Sequence, residues 1–296
     1  MKRKTGIKLA VSGGKGGVGK SMTASALAMF FAEKKKVVAI DADVDGPNLA
    51  IWLGGVKKWD EIEQISVSVK PVFDPKKCDG CGLCAKNCKF EAIEMKKNRP
   101  VLCPFLCEGC GLCETICPKG AIKLKPVKSG EIKIKKIRFS DRRFLLISGS
   151  LYPGETGSGK IVDEIKARAG KFSSDIQIID SAPGTGCPVN AALRDVDFVV
   201  LVTEPTPSAI SDLKRVLEVV NYFNLPFSIV INKWDVNFSL SKKIEKEFSG
   251  KILGKISYDK NILNTVSEFR PILGTNLKAK KELEIIYNKL LIKLYA

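Results

Sequence analysis

Eight of the ten cysteines fall into two short segments that share one internal spacing. In chain order they are Cys78, Cys81, Cys84 and Cys88, then Cys107, Cys110, Cys113 and Cys117. Closely spaced thiolates are metal ligands, and such clustering without a predicted export signal favours metal ligation over disulfide bonds. The chain has no histidine, which excludes a histidine general base, a histidine-ligated zinc ion and a Rieske centre.

The two segments, CDGCGLCAKNC and CEGCGLCETIC, resemble the ligand motifs of two-cluster bacterial ferredoxins. In that family three closely spaced cysteines hold one 4Fe-4S cluster, and the fourth holds the other cluster. The resemblance implies a first cluster on Cys78, Cys81, Cys84 and Cys117, and a second on Cys107, Cys110, Cys113 and Cys88. Tetrahedral zinc is the alternative, because four cysteines also suit zinc. Lys89 stands where the first motif usually carries proline, so we expect an altered loop there.

A glycine-rich segment before a helix-like run fits the pattern G-x-x-x-x-G-K-S/T, framed by Gly14 and Gly19. Glycines let consecutive backbone N–H groups turn inward around phosphate oxygens. Lys20 can reach the β- and γ-phosphates, and the Ser21 hydroxyl can ligate Mg²⁺. The predicted nucleotide-binding residues of this segment are Gly14, Lys15, Gly16, Gly17, Val18, Gly19, Lys20, Ser21 and Met22.

Lys15 lies five residues before Lys20. With this residue the loop resembles that of the deviant-Walker ATPases, the class of MinD, ParA, Mrp and the nitrogenase iron protein. In that class the early lysine reaches the partner's nucleotide, where it places positive charge on the transferring phosphoryl group. The resemblance implies an ATP-dependent dimer, either of two copies or with a related ATPase, in which Lys15 and Lys20 are catalytic.

Three further segments match positions of this class. The segment DADVDGPN resembles its first switch, which implies that Asp43 orients the attacking water and that Asp41 lies near Mg²⁺ through water. The segment IIDSAPG implies Asp180 as an outer Mg²⁺ ligand and a Gly184 N–H that meets the γ-phosphate. The segment INKWD superficially resembles a guanine-reading motif, but in this class Asn232 contacts adenine, so we predict ATP rather than GTP.

Short apolar runs typical of buried strands lie on both sides of the cysteine segments. They are Ile7–Ser12, Val37–Asp41, Arg143–Ser148, Ile176–Asp180, Phe198–Thr203, Phe227–Asn232 and Ile252–Ile256. A strand, a glycine-rich loop, a helix and a strand in succession predict a parallel sheet. We therefore predict an α/β fold, a mostly parallel P-loop sheet flanked by helices, formed by residues 1–71 and 127–296. A small inserted α+β ferredoxin-like domain with two clusters occupies residues 72–126, and this arrangement is similar to MinD-type ATPases with an inserted ferredoxin domain.

Other residues carry weaker signals. Gly154–Lys160 has the glycine frame of a second phosphate loop, but Ile161 replaces the Mg²⁺ ligand, so we expect an ordinary loop that opens a helix over Lys160–Ala167. Cys103 is expected to be a bystander beside the second motif. Cys187 has the offset of a cluster ligand in the nitrogenase iron protein, but no second cysteine accompanies it, so we expect a buried thiol.

Charge and hydropathy limit the partners. The net charge of +17 is spread along the chain without a nucleic-acid-binding motif, so we predict no nucleic acid. Residues Met1–Gly6 lead straight into a strand-like run, which predicts no signal peptide. No apolar run approaches the ~18 residues of a spanning helix. We expect the amphipathic segment Lys278–Ala296 to pack on the sheet rather than to bind a membrane surface. We predict a cytoplasmic protein.

Three functions fit these features. The favoured one is an ATPase that couples nucleotide hydrolysis to low-potential electron transfer through the clusters to a redox partner. The second is a maturation factor that delivers iron–sulfur or another metal cluster to an apo-metalloprotein under ATP control. The third is an ATP-dependent positioning protein with redox-sensing clusters. Eight ligands in a closed arrangement favour retention of the clusters, and therefore electron transfer.

Overall fold

The computed structural model of the chain describes residues 5–295. The signal-peptide prediction for Met1–Gly6 therefore falls mostly outside the described residues, as does Ala296. The strands are β1 (Thr5–Ser12), β2 (Val37–Ala42), β3 (Glu61–Ile65), β4 (Ser68–Phe73), β5 (Ile93–Lys96), β6 (Arg99–Leu102), β7 (Ile122–Val127), β8 (Gly130–Phe139), β9 (Arg142–Leu151), β10 (Ser174–Ser181), β11 (Phe198–Thr203), β12 (Phe227–Asn232) and β13 (Ile252–Ile256). The helices are α1 (Lys20–Ala32), α2 (Leu49–Trp52), α3 (Leu83–Lys86), α4 (Leu112–Thr115), α5 (Ser158–Ala169), α6 (Cys187–Leu193), α7 (Pro207–Tyr222), α8 (Phe238–Glu247), α9 (Asn261–Ser267) and α10 (Lys278–Tyr295).

A nine-stranded sheet in the order β13-β12-β11-β1-β10-β2-β9-β8-β3 forms the centre of the molecule. The strands from β13 to β9 pair in parallel, and β8 and β3 add an antiparallel edge. Strands β2 and β11 are buried along their whole length, which is why they read as continuous apolar runs in the sequence. The predicted α/β architecture with a mostly parallel sheet is confirmed.

Helices cover both faces of this sheet. One apolar layer joins α1 and α10 to the sheet, and the other joins α5, α6 and α7 to its opposite face. The C-terminal helix α10 buries Leu283, Ile286 and Leu290 completely. Within residues 5–295 no helix has the length and apolar character needed to cross a bilayer.

The cysteine segments lie between β3 and β8, on an excursion of the chain from the main sheet. Its base is the antiparallel pair β4 and β7, in which Ser68 pairs with Val127 and Phe73 with Ile122. This pair crosses both predicted domain boundaries, so the paired strands extend a few residues beyond the predicted 72–126. A hairpin of β5 and β6 lies between the two cysteine segments.

We expect Ile286→Ala to lower the free energy of unfolding by about 2–5 kcal/mol, because the side chain is fully buried. Its Cγ1 lies so close to Gly254 that a Cβ added there would approach it to 2.4 Å. The matched control is Ile285→Ala, whose side chain is 54% exposed and whose loss should cost about 0.5 kcal/mol or less. Urea unfolding of both variants measures the difference, and equal losses would contradict the packing of α10.

Candidate functional site

The glycine-rich loop connects the end of β1 to the start of α1, as a phosphate loop requires. Gly19 has a φ of 100°, and a Cβ there would lie 2.4 Å from Nδ2 of Asn232. A Cβ on Gly14 would lie 2.2 Å from the Asp212 carbonyl oxygen. By contrast, a Cβ on Gly16 or Gly17 would meet nothing within 4 Å. The loop is therefore packed tightly at its two framing glycines and open between them.

A cleft of about 530 Å³ lies against this loop. The predicted site residues that line the cleft are Gly16, Gly17, Gly19, Lys20, Ser21, Met22, Asp43 and Asn232. The predicted residues that do not line it are Gly14, Lys15, Val18, Asp41, Asp180 and Gly184. Pro183 lines the cleft in place of its neighbour Gly184, whose φ of 87° is in the left-handed region.

Buried charges meet next to the loop. Asp41 and Asp180 are register partners on β2 and β10, and both carboxylates are buried. Burial raises the pKa of Asp180 to about 7, against the opposing effects of the Ser21 hydroxyl and the Lys20 ammonium. Burial also raises the pKa of Asp41 well above its ordinary value, and the charge of Asp180 adds to this. Burial lowers the pKa of Lys20, while Asp180 and Asp43 raise it.

The two buried aspartates differ in their hydrogen bonds. Asp41 accepts from the backbone N–H groups of Leu49 (3.0 Å) and Asp43 (3.3 Å), so it holds the segment after β2 in place. Neither carboxylate oxygen of Asp180 has a hydrogen-bond partner within the described part of the chain. A buried, unpartnered carboxylate beside a serine hydroxyl is an oxygen donor set of the kind that Mg²⁺ prefers. Ser21 and Asp180 therefore fit a magnesium ion.

Lys15 is held within its own chain. Its Nζ lies 3.2 Å from Oε1 of Glu204, which follows β11, and Lys233 Nζ lies 2.8 Å from Oε2 of the same carboxylate. Lys233 also donates to the carbonyl oxygen of Gly17 at 3.3 Å. Burial alone would raise the pKa of Glu204, but Lys233 and Lys15 outweigh it and hold the pKa below its ordinary value. Glu204 therefore connects the phosphate loop to the end of β12.

Asn232 was predicted as a site residue, but several other residues that line the cleft were not predicted. Asn232 donates from Nδ2 to the carbonyl oxygen of Val18 at 2.8 Å, which ties β12 to the phosphate loop. The unpredicted lining residues are Asn48, Trp52, Pro183, Lys233, Ser257, Tyr258, Asp259, Ile262 and Leu263. Those from Ser257 onward follow β13, and ligands of parallel sheets bind beyond the carboxyl ends of strands. This rule is the signal from which the residues after β13 could have been predicted.

Two small cavities lie among the cysteine segments. One is lined by Cys78, Cys81, Cys84 and Cys117. The other is lined by Cys107, Cys110, Cys113 and Cys88, and also by Cys84. Each cavity thus meets three cysteines of one segment and the fourth of the other, the crosswise sets that two-cluster ferredoxins require. The residues present therefore fit two such clusters.

The two cysteine segments repeat each other in detail. The N–H of Ala92 donates to Sγ of Cys88 at 3.3 Å, and the N–H of Ala121 donates to Sγ of Cys117 at 3.3 Å. Glu91 has a φ of 52° where the other loop has Gly120 at 55°. The altered loop expected beside Lys89 is therefore not seen in this turn.

No three or more histidine, cysteine, aspartate or glutamate side chains within residues 5–295 form a group that could hold a single metal ion. A 4Fe-4S cluster makes a different demand, because each of its four thiolates ligates a different iron atom. The cysteines therefore have to surround a cavity rather than converge on one point.

The remaining two cysteines lie outside both cavities. None of the ten cysteines forms a disulfide bond. Cys103 is exposed and precedes a short 3₁₀ turn over Pro104–Leu106. Cys187 is also exposed, so the expectation of a buried thiol is wrong. It is the first residue of α6 and directly follows residues 183–186.

Comparisons with known proteins identify the family of this chain. Residues 9–272 match the model of the CobQ/CobB/MinD/ParA nucleotide binding domain. An uncharacterized protein of Methanocaldococcus jannaschii is 37% identical over 287 residues, which cover 96% of each chain. A second uncharacterized protein of that organism is 34% identical over 268 residues, 90% of this chain and 92% of the other.

Solved structures show the same fold. The septum site-determining protein MinD of Pyrococcus horikoshii, complexed with Mg-ADP, covers 99% of both chains at 17% identity with a TM-score of 0.60. A putative plasmid partition protein of Borrelia burgdorferi, bound to AMPPNP, covers 97% of this chain and 99% of its own at 18% identity with a TM-score of 0.58. From the family match and the shared fold, the chain belongs to the CobQ/CobB/MinD/ParA family of P-loop nucleotide-binding ATPases.

Proposed function

We propose that this ATPase acts as a dimer and couples its nucleotide cycle to low-potential electron transfer through two 4Fe-4S clusters to a partner protein. The observation that carries the proposal is the crosswise lining of the two cavities by four cysteines each. The ATPase half rests on family membership and on the phosphate-loop cleft in the same chain. The domain limits of 1–71 with 127–296 and of 72–126 are part of the proposal.

In this proposal the cleft binds Mg²⁺–ATP. The open backbone amides at Gly16 and Gly17 and the Lys20 ammonium hold the phosphates. Ser21 ligates Mg²⁺, and Asp180 lies behind it as an outer ligand. Asp43 lines the cleft and orients the attacking water. Asn232 lines the cleft and contacts the adenine base.

Bound clusters would supply electrons at low potential. The chain's own contribution is to hold the thiolates in place and to tune their charge. The N–H groups of Ala92 and Ala121 donate to Cys88 and Cys117, and such hydrogen bonds to sulfur stabilise the more negative, reduced state. These two cysteines are the crosswise ligands, so each hydrogen bond acts on the ligand that one segment contributes to the cluster of the other segment.

Lys15 would act on the nucleotide of a second ATPase subunit. In this structure it pairs with Glu204 of its own chain, with its side chain 40% exposed. To reach a partner's nucleotide it has to leave Glu204, so the ion pair competes with dimer formation. A second copy of the chain and a related ATPase are both suitable partners.

An anaerobic redox titration followed by EPR tests the proposal. We expect about eight irons per chain and a cluster potential or spectrum that shifts when Mg²⁺–ATP is added. The Lys20→Gln variant is the matched control, because it loses the cation that holds the β- and γ-phosphates, so its clusters should titrate the same with and without ATP.

Other outcomes of this titration contradict the proposal. Full iron occupancy without any response to nucleotide would rule out ATP-gated electron transfer. Iron that is lost to an apoprotein under ATP would favour cluster delivery. Zinc at the cysteines, with no EPR signal, would show that the insert does not hold iron–sulfur clusters.

The crosswise ligand sets predict that a substitution in one cysteine segment removes the cluster held mainly by the other segment. The order of the cysteines along the chain does not by itself predict this effect. We expect Cys117→Ser to remove the EPR signal of the cluster on Cys78, Cys81 and Cys84, although Cys117 belongs to the other segment. The matched control is Cys103→Ser, because Cys103 lines neither cavity. Iron analysis should show about four irons lost in the first variant and none in the second. Loss of only the second-segment cluster would contradict the pairing.

Glu204→Gln should destabilise the nucleotide-free protein by about 1 kcal/mol at pH 7, because two lysines lose their charged acceptor. A carboxylate with a depressed pKa contributes stability above its ordinary pKa of 4.5 and loses it as the pH falls through the lower native value. The difference between variant and wild type should therefore persist from pH 7 to about 4.5 and shrink at lower pH.

Urea unfolding over this pH range measures that difference. Glu245→Gln is the control, since its carboxylate pairs with Lys255 at the surface and should contribute less. A Glu204→Gln effect that is absent at pH 7, or that grows below pH 4.5, would contradict the assignment.

A further inference from the structure

The loop after β9, Pro153–Lys160, has the glycine frame of a phosphate loop but not its open surface. We call it the second glycine loop. A Cβ on Gly154 would lie 2.1 Å from the Phe105 ring, and one on Gly157 would lie 3.1 Å from Val67. At Gly16 and Gly17 of the first loop, an added Cβ would meet nothing within 4 Å. Protein atoms therefore cover the glycines that a phosphate would need to approach.

An ion pair between a buried lysine and a half-buried glutamate connects this loop to the cysteine insert. Lys70, on β4, is 6% exposed, and its Nζ lies 2.6 Å from Oε1 of Glu155. The same ammonium donates to the Pro104 carbonyl oxygen at 2.9 Å, and Ser68 Oγ donates to Oε2 of Glu155 at 3.0 Å. Pro104 lies three residues before Cys107, the first ligand candidate of the second cavity. Lys70 thus joins the loop to the chain that enters this cavity.

The other end of the loop contacts the segment after Asp180. A Cβ on Gly159 would lie 3.1 Å from the Cys187 carbonyl oxygen, so α5 and α6 begin against each other. Lys166, on α5, donates to the Ala191 carbonyl oxygen of α6 at 2.7 Å, so the two helices are also tied further along. Because α6 begins three residues after Gly184, a displacement of Gly184 by nucleotide would be passed to α6, to the start of α5 and to the second glycine loop.

We propose that the second glycine loop is the interface through which nucleotide at the cleft changes the insert, with Lys70 and Glu155 as the connection to Pro104–Cys107. The proposal rests on the nucleotide cycle argued above and adds the route by which the cycle reaches the second cavity. Close packing on both sides supports this role, because packed elements transmit small displacements instead of absorbing them.

Hydrogen–deuterium exchange on the cluster-loaded protein, with and without Mg²⁺–AMPPNP, tests this proposal. In the wild type we expect nucleotide to protect Gly13–Ser21 and to change exchange at residues 153–160 and 99–110. In the double variant K70M/E155Q, which removes both charges and leaves no unpaired one, the response at 153–160 should remain. The response at 99–110 should fall by at least about fivefold.

Two further variants make the result decisive. The control Glu114→Gln breaks the Lys123–Glu114 pair within the insert, away from the loop, and should leave the response at 99–110 unchanged. Phe105→Ala should weaken the response as the double variant does. Its side chain is 73% exposed, so the substitution leaves the fold intact even if K70M/E155Q unfolds.

The outcomes separate this proposal from the proposed function. Protection of Gly13–Ser21 with no change at 99–110 in the wild type would overturn the proposed route through the second glycine loop. A response at 99–110 as large as that of the wild type in both K70M/E155Q and Phe105→Ala would also overturn it. An exchange response without any shift in cluster potential would leave the coupling intact and overturn electron transfer. No protection of Gly13–Ser21 would remove the nucleotide cycle, and this proposal with it.

Discussion

The candidate site depends on one constraint: the carboxyl ends of the parallel strands meet at a single edge of the sheet. The phosphate loop follows β1, Asp43 follows β2, and Asp180 ends the apolar run of β10. Glu204 follows β11, and Asn232 ends β12. Strand β9 is also parallel to β2, so the second glycine loop leaves from the same edge. The insert is therefore connected, through the second glycine loop, to the sheet edge at which nucleotide binds. Its own strands are not part of the nine-stranded sheet.

Charge at this edge is balanced only in part without a ligand. Lys20 is buried beside Asp180 and Asp43, and burial shifts the pKa of Lys20 and of Asp180 toward their neutral forms. A phosphate and a divalent cation would add charges of both signs to this buried group and favour the ionised forms. The ion pair of Glu204 with Lys15 is longer than its pair with Lys233, 3.2 Å against 2.8 Å, and Lys15 is the more exposed lysine, so it is the weaker of the two pairs. In the proposed dimer it is the pair that has to be exchanged.

Buried parallel strands were predictable because both of their faces are apolar, as in the run Val37–Asp41, which the structure extends to Ala42. The edge strands β8 and β3 were not predicted. The alternation of isoleucine with lysine in β8 is the ordinary signal of a half-buried strand and could have identified it. The exposed β3 carries glutamates and no such signal. The pairing of Lys15 with Glu204 could not be predicted either, because the two residues are 189 positions apart. The glycine pattern at Gly154–Lys160 shows a different limit of prediction from sequence. The same local pattern serves packing instead of phosphate binding once neighbouring residues cover the glycines.

The insert has too small an apolar core to be stable by itself. Its buried hydrophobic cluster consists of Cys84, Ile93 and Ile122, with mostly half-buried neighbours that include three further cysteines. Domains of this size without a larger core usually need metals or disulfides, and metal binding then supplies the free energy of folding. In the proposed function, releasing a bound cluster would remove the group around which the cysteines fold, so delivery would cost the insert its structure at every turnover. Retention would carry no such cost, which is the reason for proposing electron transfer rather than delivery.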